Sequence, residues 1–439
     1  MLQGSARILI PNTDARRMVA SAARISTTEG TAISIFDKSG NAERDLKLIR
    51  KVLSSGHKSI LEHQNFSIAF NDVSVLVEQF MIEHRLAVYT VKSRRYVDYS
   101  GAGYIIPHGI DGVAKEKYCA RMDGLFALYA RLTDAGVPRE DARFVLPYSF
   151  RSNFYVTVNG RELVRMVSEM TNGRGERIAE LKYLGIQLKE QLDGIYPGIL
   201  DSEKSTKNCA AAKAVTRFER GQARAARSHM VCMTTDPEKS LNRAMEFSGR
   251  FEAEDGDYVT ERNMMALVRD ERPRELEFIG AQFVAKDVSL ACITHFTRHR
   301  MQSLMVPDVA EALGRGDYVV PQSVRDSGLL AEYEAAFGKQ ADLAAEMLAA
   351  GLAPCDAGYL ALAGHVMDIM FEMNGRELLH FLKLRTCNRA QWEIRAVARE
   401  MLEQLRNECD DIFWAYGPSC LVDGRCPEGR LSCGKPETR

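Results

Sequence analysis

The stretch Asn374–Arg395 reads NGRELLHFLKLRTCNRAQWEIR, and it carries both a fold signal and a chemical one. Leu378, Leu379, Phe381, Leu382 and Leu384 form the apolar face of a surface helix, resumed by Trp392 and Ile394 after a polar break. Asn374, Arg376, His380, Arg385 and Gln391 sit on that scaffold. A helix start offering an Asn, an Arg and its own N–H groups suits a phosphate or a flavin edge. Taken alone, the same pattern is equally that of an amphipathic helix with solvated arginines.

The stretch occurs twice. Asn159-Gly160-Arg161-Glu162-Leu163 returns as Asn374-Gly375-Arg376-Glu377-Leu378, an offset of 215 residues. The same offset pairs His84-Arg85 with His299-Arg300, Asp72-Val73-Ser74 with Asp287-Val288-Ser289, Leu61-Glu62 with Leu276-Glu277, and Asp141-Ala142 with Asp356-Ala357. Matches at one spacing indicate a tandem duplication. Two copies make a pair of α+β domains: residues 1–200, a linker at 201–208 (DSEKSTKN), residues 209–408, and a Cys/Gly-rich tail at 409–439.

Composition bounds the function. At 439 residues and 46% hydrophobic content, the chain can bury two cores. A formal charge of −1 excludes the global basic field that non-specific nucleic-acid binding needs. Ten cysteines without a regular framework before the last thirty residues point to a reducing compartment. With no signal-peptide core and no apolar run of membrane-spanning length, a cytoplasmic protein is expected.

Along the chain, a strand is expected at Ile8–Ile10 and a helix at Ala42–Val52. Gly56–His63 (GHKSILEH) is a polar loop, Phe66–Phe70 a half-buried strand, and Val73–Ala87 helical. Lys92–Tyr96 packs three cations and a hydroxyl into a loop. A helix over Lys115–Ala135, the Ala142–Pro147 segment and a strand at Phe154–Val158 precede the first Asn-Gly-Arg-Glu-Leu. In the second copy Gln282–Ala285 leads into a helix ending at Thr297–Ser303.

These motifs resemble the flavin-dependent thymidylate synthases. GHKSILEH, Arg298-His299-Arg300 with Ser303, Ser93-Arg94-Arg95-Tyr96, and Arg385 with Gln391-Trp392-Glu393-Ile394-Arg395 stand in that family's order. The resemblance implies methylation of dUMP to dTMP, with methylenetetrahydrofolate as carbon donor, NADPH as reductant and FAD as hydride carrier. It places the arginine that stabilises the ionised uracil ring at Arg385. It assigns nucleotide binding to Ser93, Arg94, Arg95, Arg143, His295, Arg298 and Arg385. Flavin binding falls to His57, Ser59, Glu62, Arg298, His299, Arg300, Asn374, Arg376 and His380.

The departures from the family pattern are divided between the copies. In the first, Glu83 replaces the leading Arg of the signature, Val88 its Ser, Thr90 its Asn, and Met170 stands at the place of Arg385. In the second, Asp308 replaces the Ser of Ser-x-Arg-Tyr, Gly358 stands at the place of Arg143, and Arg272 and Arg274 replace the flavin-loop His and Ser. His295 stands where the family usually has Gln. The family builds its nucleotide site from two subunits, so the resemblance implies an intramolecular pseudo-dimer with one composite site, and two such chains in a homodimer. The other readings are a flavin- or nucleotide-binding paralogue without turnover, and an enzyme acting on another pyrimidine nucleotide. A nucleic-acid binder fits poorly, because the charge is neutral and aromatics are not interleaved with the basic patches. Cys409, Cys420, Cys426 and Cys433 could supply four thiolates to zinc, but no tight Cys-x-x-Cys pair is present, and free thiols are the expected state.

Overall fold

A computed structural model describes residues 4–9, 15–197, 199–202 and 214–437. Ile10 of the expected first strand and residues 203–208 of the expected linker lie outside the described residues. The chain divides into two compact units, Met1–Phe218 with Lys339–Ala361, and Glu219–Gly338 with Leu362–Arg439.

The first unit is built on a four-stranded antiparallel sheet of β1 (Ser5–Ile8), β2 (Asn65–Ser74), β3 (Val88–Val91) and β4 (Arg151–Asn159), in the order β1-β2-β4-β3. The second unit contains β5 (Ala223–Arg224), β6 (Arg227–Met233), β7 (Gly280–Ser289), β8 (Ser303–Met305), β9 (Tyr318–Val319) and β10 (Val366–Asn374). Its main sheet runs β6-β7-β10-β8, the order of the first sheet over again, while β5 and β9 form a separate parallel pair.

The duplication reaches the backbone. Asp72 and Asp287 both adopt the left-handed conformation, at φ of 52° and 55°, where β2 and β7 break register. Each donates its N–H to a carboxyl or amide oxygen 215 residues apart, Asn153 Oδ1 at 3.0 Å and Asp368 Oδ1 at 2.9 Å. Such bulges bend a strand at a chosen place, and Asp tolerates the conformation better than most residues. Ser74 and Ser289 then cap the helices Val75–Ile82 and Leu290–Phe296, each through a hydroxyl that accepts a backbone N–H at 3.1 Å.

The duplicated Asn-Gly-Arg-Glu-Leu is a helix start. Asn159 and Asn374 accept the N–H of Glu162 and Glu377 at 2.9 Å. Gly160 and Gly375 follow because a Cβ there would meet the carbonyl oxygen of Leu61 or Leu276 at 2.8 and 2.7 Å. The helices Gly160–Asn172 and Gly375–Arg385 can therefore lie close on the short 3-10 turns before β2 and β7.

Beyond each lies a longer helix, Ala179–Ile195 or Trp392–Glu408. Gln187 and Gln191 accept the N–H groups of Ala6 and Ile8 on β1, and Glu400 and Gln404 those of Ser228 and Met230 on β6. Edge strands that would otherwise present unpaired donors are thus covered.

Several expectations change. The opening stretch is two helices, because Gly375–Arg385 ends at Thr386, whose hydroxyl turns back to the Leu382 carbonyl, and Gln391 caps the next helix. Leu384 is exposed, so the apolar face is Leu378, Leu379, Phe381 and Leu382. The GHKSILEH loop contains a 3-10 helix, Lys58–His63. β7 extends to Ser289 before the next helix begins, because the Ser289 cap sets that start. The short strand β8, too brief to show a period, begins at Ser303, where the end of a helix was expected, and β3 falls between the expected helix to Ala87 and the loop from Lys92. Among the described residues no helix is long and apolar enough to cross a membrane.

Candidate functional site

In the second unit the helix Gly375–Arg385 and the turn after Leu290–Phe296 bring four side chains into a row. Glu377 Oε1 lies 3.0 Å from His299 Nδ1, and Arg385 Nε donates to His299 Nε2 at 3.0 Å. Arg385 Nη2 reaches the His295 carbonyl at 3.4 Å, and the His380 ring lies 5.4 Å from that of His299. With Nε2 accepting from a guanidinium, the proton of His299 sits on Nδ1 and is donated to Glu377. Burial, and then the charges of Arg385, His380 and Arg298, push the imidazole down to about 2. A carboxylate neighbour would normally raise it. Here a second proton would have to displace the Arg385 bond and place a cation beside a cation. Burial likewise raises the Glu377 carboxyl. The outcome is a neutral imidazole wedged between an acid and a guanidinium, which fixes the direction of Arg385.

The first unit keeps the scaffold and reverses the charge. His84 Nδ1 lies 3.6 Å from Glu162 Oε1, but its Nε2 faces Glu169 Oε2 at 3.7 Å. Met170, fully buried, occupies the place of Arg385. Glu83, at the place of Arg298, pairs with Arg174 at 2.7 Å.

Ser93, Arg95 and Arg143 are brought together in the first unit by Glu140, which the sequence reading passed over. Arg95 Nε donates to its carboxylate at 2.6 Å, Arg143 Nε to its backbone carbonyl at 3.0 Å, and the Ser93 hydroxyl accepts the Arg95 N–H at 3.3 Å. Arg94 is placed otherwise. Its guanidinium is buried and ion-paired with Glu78, which also accepts from Ser152. That charge is neutralised inside the fold.

Of the expected flavin set, His57 and Ser59 are exposed in the first unit, and Arg298, Arg300 and His380 in the second. Arg376 holds Glu277 at 2.6 Å, as Arg161 holds Glu62 at 2.6 Å, and Asn374 is engaged as a cap. Asn374, Arg376 and Glu62 therefore shape these surfaces through neighbours. His295 is buried on the helix that precedes Arg298. In the tail, Cys409 is buried and its thiol donates to Glu238 at 3.5 Å. Among the described residues no three His, Cys, Asp or Glu side chains are gathered closely enough to hold a metal ion.

Comparison with known proteins follows the same division. The family model described as thymidylate synthase complementing protein matches residues 8–197 and again 215–409. A flavin-dependent thymidylate synthase of Geobacter sulfurreducens is 32% identical over 153 residues, which are 34% of this chain and 65% of that protein. One from Clostridium tetani is 32% identical over 191 residues, 39% of this chain and 76% of its own length. One from Thermococcus kodakarensis is 36% identical over 171 residues, 36% of this chain and 68% of its own. A solved structure described as a UMP/dUMP methylase PolB from Streptomyces cacaoi, bound with 5-Br dUMP, aligns with a TM-score of 0.39 at 23% identity. It covers 46% of this chain and 94% of that one.

Proposed function

Because this chain belongs to the thymidylate synthase complementing protein family, we propose that it is a flavin-dependent methyltransferase converting dUMP to dTMP at one composite nucleotide site per chain. The observation that carries the reading is the Arg385–His299–Glu377 row of the second copy; the first keeps His84 and Glu162 but has Met170 at the place of Arg385 and turns His84 Nε2 towards Glu169. A guanidinium held in one direction by a neutral imidazole is preorganised for negative charge developing on a uracil ring. Methylenetetrahydrofolate supplies the carbon and NADPH the reducing equivalents.

FAD, when bound, carries hydride between NADPH and the substrate. The exposed His57, Ser59, Arg300 and His380 fit such a group, since a dinucleotide's phosphates need cationic and hydroxyl donors that are not buried. The nucleotide phosphate takes Ser93, Arg95 and Arg143 from one copy and Arg298 from the other. The opposite combination would confront a dianion with Glu83 and Asp308, which electrostatics disfavours. Random decay would strike both sets alike, whereas here each copy keeps what the other has lost. Two chains pair as a homodimer on this reading.

The test is growth of a thymidine-requiring strain carrying this gene. Wild type restores growth and yields a yellow protein, while Arg385→Ala yields a yellow protein without growth. Colourless protein that fails to quench added FAD, or a wild type that never restores growth, removes the enzyme reading.

A further inference from the structure

The first unit holds a cleft that the nucleotide and flavin assignments leave unused. Its volume is about 580 Å³, and it is lined by residues 104–111 together with Lys115 and Arg151. Small-molecule sites typically measure roughly 300–1,000 Å³. Ile105 and Ile110 are buried and Tyr104 half-buried, while Asp111 and Lys115 are exposed.

The backbone of this turn is common to both copies. Tyr104-Ile105-Ile106-Pro107 returns as Tyr318-Val319-Val320-Pro321. The Ile105 N–H is donated to the Ser149 carbonyl at 2.8 Å, and the Val319 N–H to that of Gly364 at 2.9 Å. The Tyr118 hydroxyl donates to the Ile105 carbonyl at 2.8 Å, and the Tyr333 hydroxyl to that of Val319 at 2.6 Å. These shared bonds fix which residues correspond.

The charges are not shared. Arg151 pairs with Ser74 between β4 and β2, as Val366 pairs with Ser289 between β10 and β7. Lys115 lies three residues before Tyr118, as Leu330 lies before Tyr333. Two cations of the first copy thus stand where the second has a leucine and a fully buried valine. The tyrosines differ too. Tyr318 is buried and stacked on Phe337 at 4.3 Å, whereas Tyr104 is half-buried and its hydroxyl donates to Asp123 at 2.9 Å. Arg151 serves in part to offset Glu180, whose carboxyl burial raises and the guanidinium lowers. That buried acid explains one cation. The other, Lys115, lies on the first turn of the helix Gly112–Asp134, and among the described residues its ammonium is in no ion pair.

We propose that this cleft binds an organic anion, its apolar or aromatic body resting on Tyr104, Ile105 and Ile110 and its phosphate or carboxylate met by Lys115 and Arg151. An ammonium and a planar guanidinium beside an apolar floor recognise that combination, and the one carboxylate of the lining, Asp111, is outnumbered.

The probes are 1-naphthyl phosphate and 1-naphthoate, titrated calorimetrically into the full chain with dUMP and FAD at saturation, so that the proposed nucleotide and flavin sites are filled. At least one probe should bind at one per chain, and the tighter of the two shows which anion the cleft prefers. Lys115→Leu, which copies the second half, should weaken binding by roughly tenfold or more, the worth of one charge-assisted hydrogen bond. Lys115→Arg should keep it, and Arg151→Val should weaken it as well. Because Lys115 is exposed, its variants keep the test decisive even where Arg151→Val does not fold. Neither probe binding, or equal binding in Lys115→Leu, overturns the proposal. A probe that binds only when dUMP is left out occupies the nucleotide site and overturns it too. Failure of methyl transfer leaves the result standing, since the titration reads no turnover.

Discussion

Arg385 donates through Nε to His299 Nε2 at 3.0 Å, and 215 residues earlier the same ring nitrogen of His84 faces Glu169 Oε2 at 3.7 Å. One scaffold thus holds an imidazole against a cation in one copy and an anion in the other. A pocket for an anionic nucleotide tolerates the first arrangement and resists the second. The difference is set by residues on a single helix face, with the sheet, the caps and the bulge left unchanged.

Arg385→Ala should lower methyl transfer on the order of a hundred- to a thousandfold, the usual loss for one preorganised charge-stabilising donor, and leave FAD bound. Met170→Ala, at the matching place, should act on stability alone, by roughly 2–5 kcal/mol, because Met170 is fully buried. Steady-state rates and thermal melts on the two variants separate the roles. An equal loss of turnover in both, with each protein folded, would contradict the assignment of chemistry to the second copy.

A second prediction concerns acid. His365 is wholly buried, its Nδ1 accepts the Leu362 N–H at 2.8 Å, and burial lowers it to about 3. An unfolded histidine binds its proton near pH 6.5. Between about pH 6.5 and 3 the unfolded state therefore holds one more proton than the folded state at this site, and stability falls as pH falls. The slope is about 1.4 kcal/mol per pH unit. His299 adds a second proton of the same sign. His365→Phe, which copies Phe150 of the first half, should flatten the acid slope by one proton, whatever the loss of the Leu362 acceptor costs at neutral pH. Denaturant titrations from pH 7 to 4 read the slope, and an unaltered one would show that His365 already titrates normally.

Much of the architecture was legible because duplication preserved residues that the backbone needs. Asn159/Asn374 cap, Gly160/Gly375 permit close approach, and Asp72/Asp287 hold a left-handed bulge, so all three pairs survived at one spacing. The row through His299 and Arg385 was legible as residues, but Glu377 was read only as part of a helix start. Glu140 stayed hidden for a different reason. It matters through a partner that only tertiary structure brings near, Arg95. Arg94 misled the reading, since a basic loop in sequence gives no sign that Glu78 lies buried behind it.

That ion pair yields a prediction of its own. Glu78, Arg94 and Ser152 are buried together in the first unit, and the residues 215 positions on are Ile293, Val309 and Met367, all buried as well. The two copies solve one core position by a charged cluster and by an apolar one. Glu78→Ile alone should cost about 3–5 kcal/mol, because it leaves a guanidinium buried without its carboxylate. The triple change Glu78→Ile, Arg94→Val and Ser152→Met should recover most of that loss, since replacing a whole buried ion pair by apolar groups is often neutral. Urea unfolding of the two variants decides it. A triple variant no better than the single one would show that Arg94 has a duty besides neutralising Glu78.

The prediction most exposed to failure is stoichiometry. Phosphate recognition needs convergent guanidinium and hydroxyl donors. Ser93, Arg95 and Arg143 belong to the first copy and gather at Glu140, whereas Arg298 and Arg385 belong to the second copy, whose sequence has Asp308 and Gly358 in place of Ser93 and Arg143. Neither copy holds a full set. If the proposed composite site is right, a calorimetric titration of FAD-loaded protein should saturate near one dUMP per chain. Arg143→Ala and Arg298→Ala should each weaken binding of that one nucleotide although they lie in different halves. Two dUMP per chain would mean that each copy works alone. A single variant that weakens only one of two bound nucleotides would point the same way, because residues in independent sites do not share a ligand.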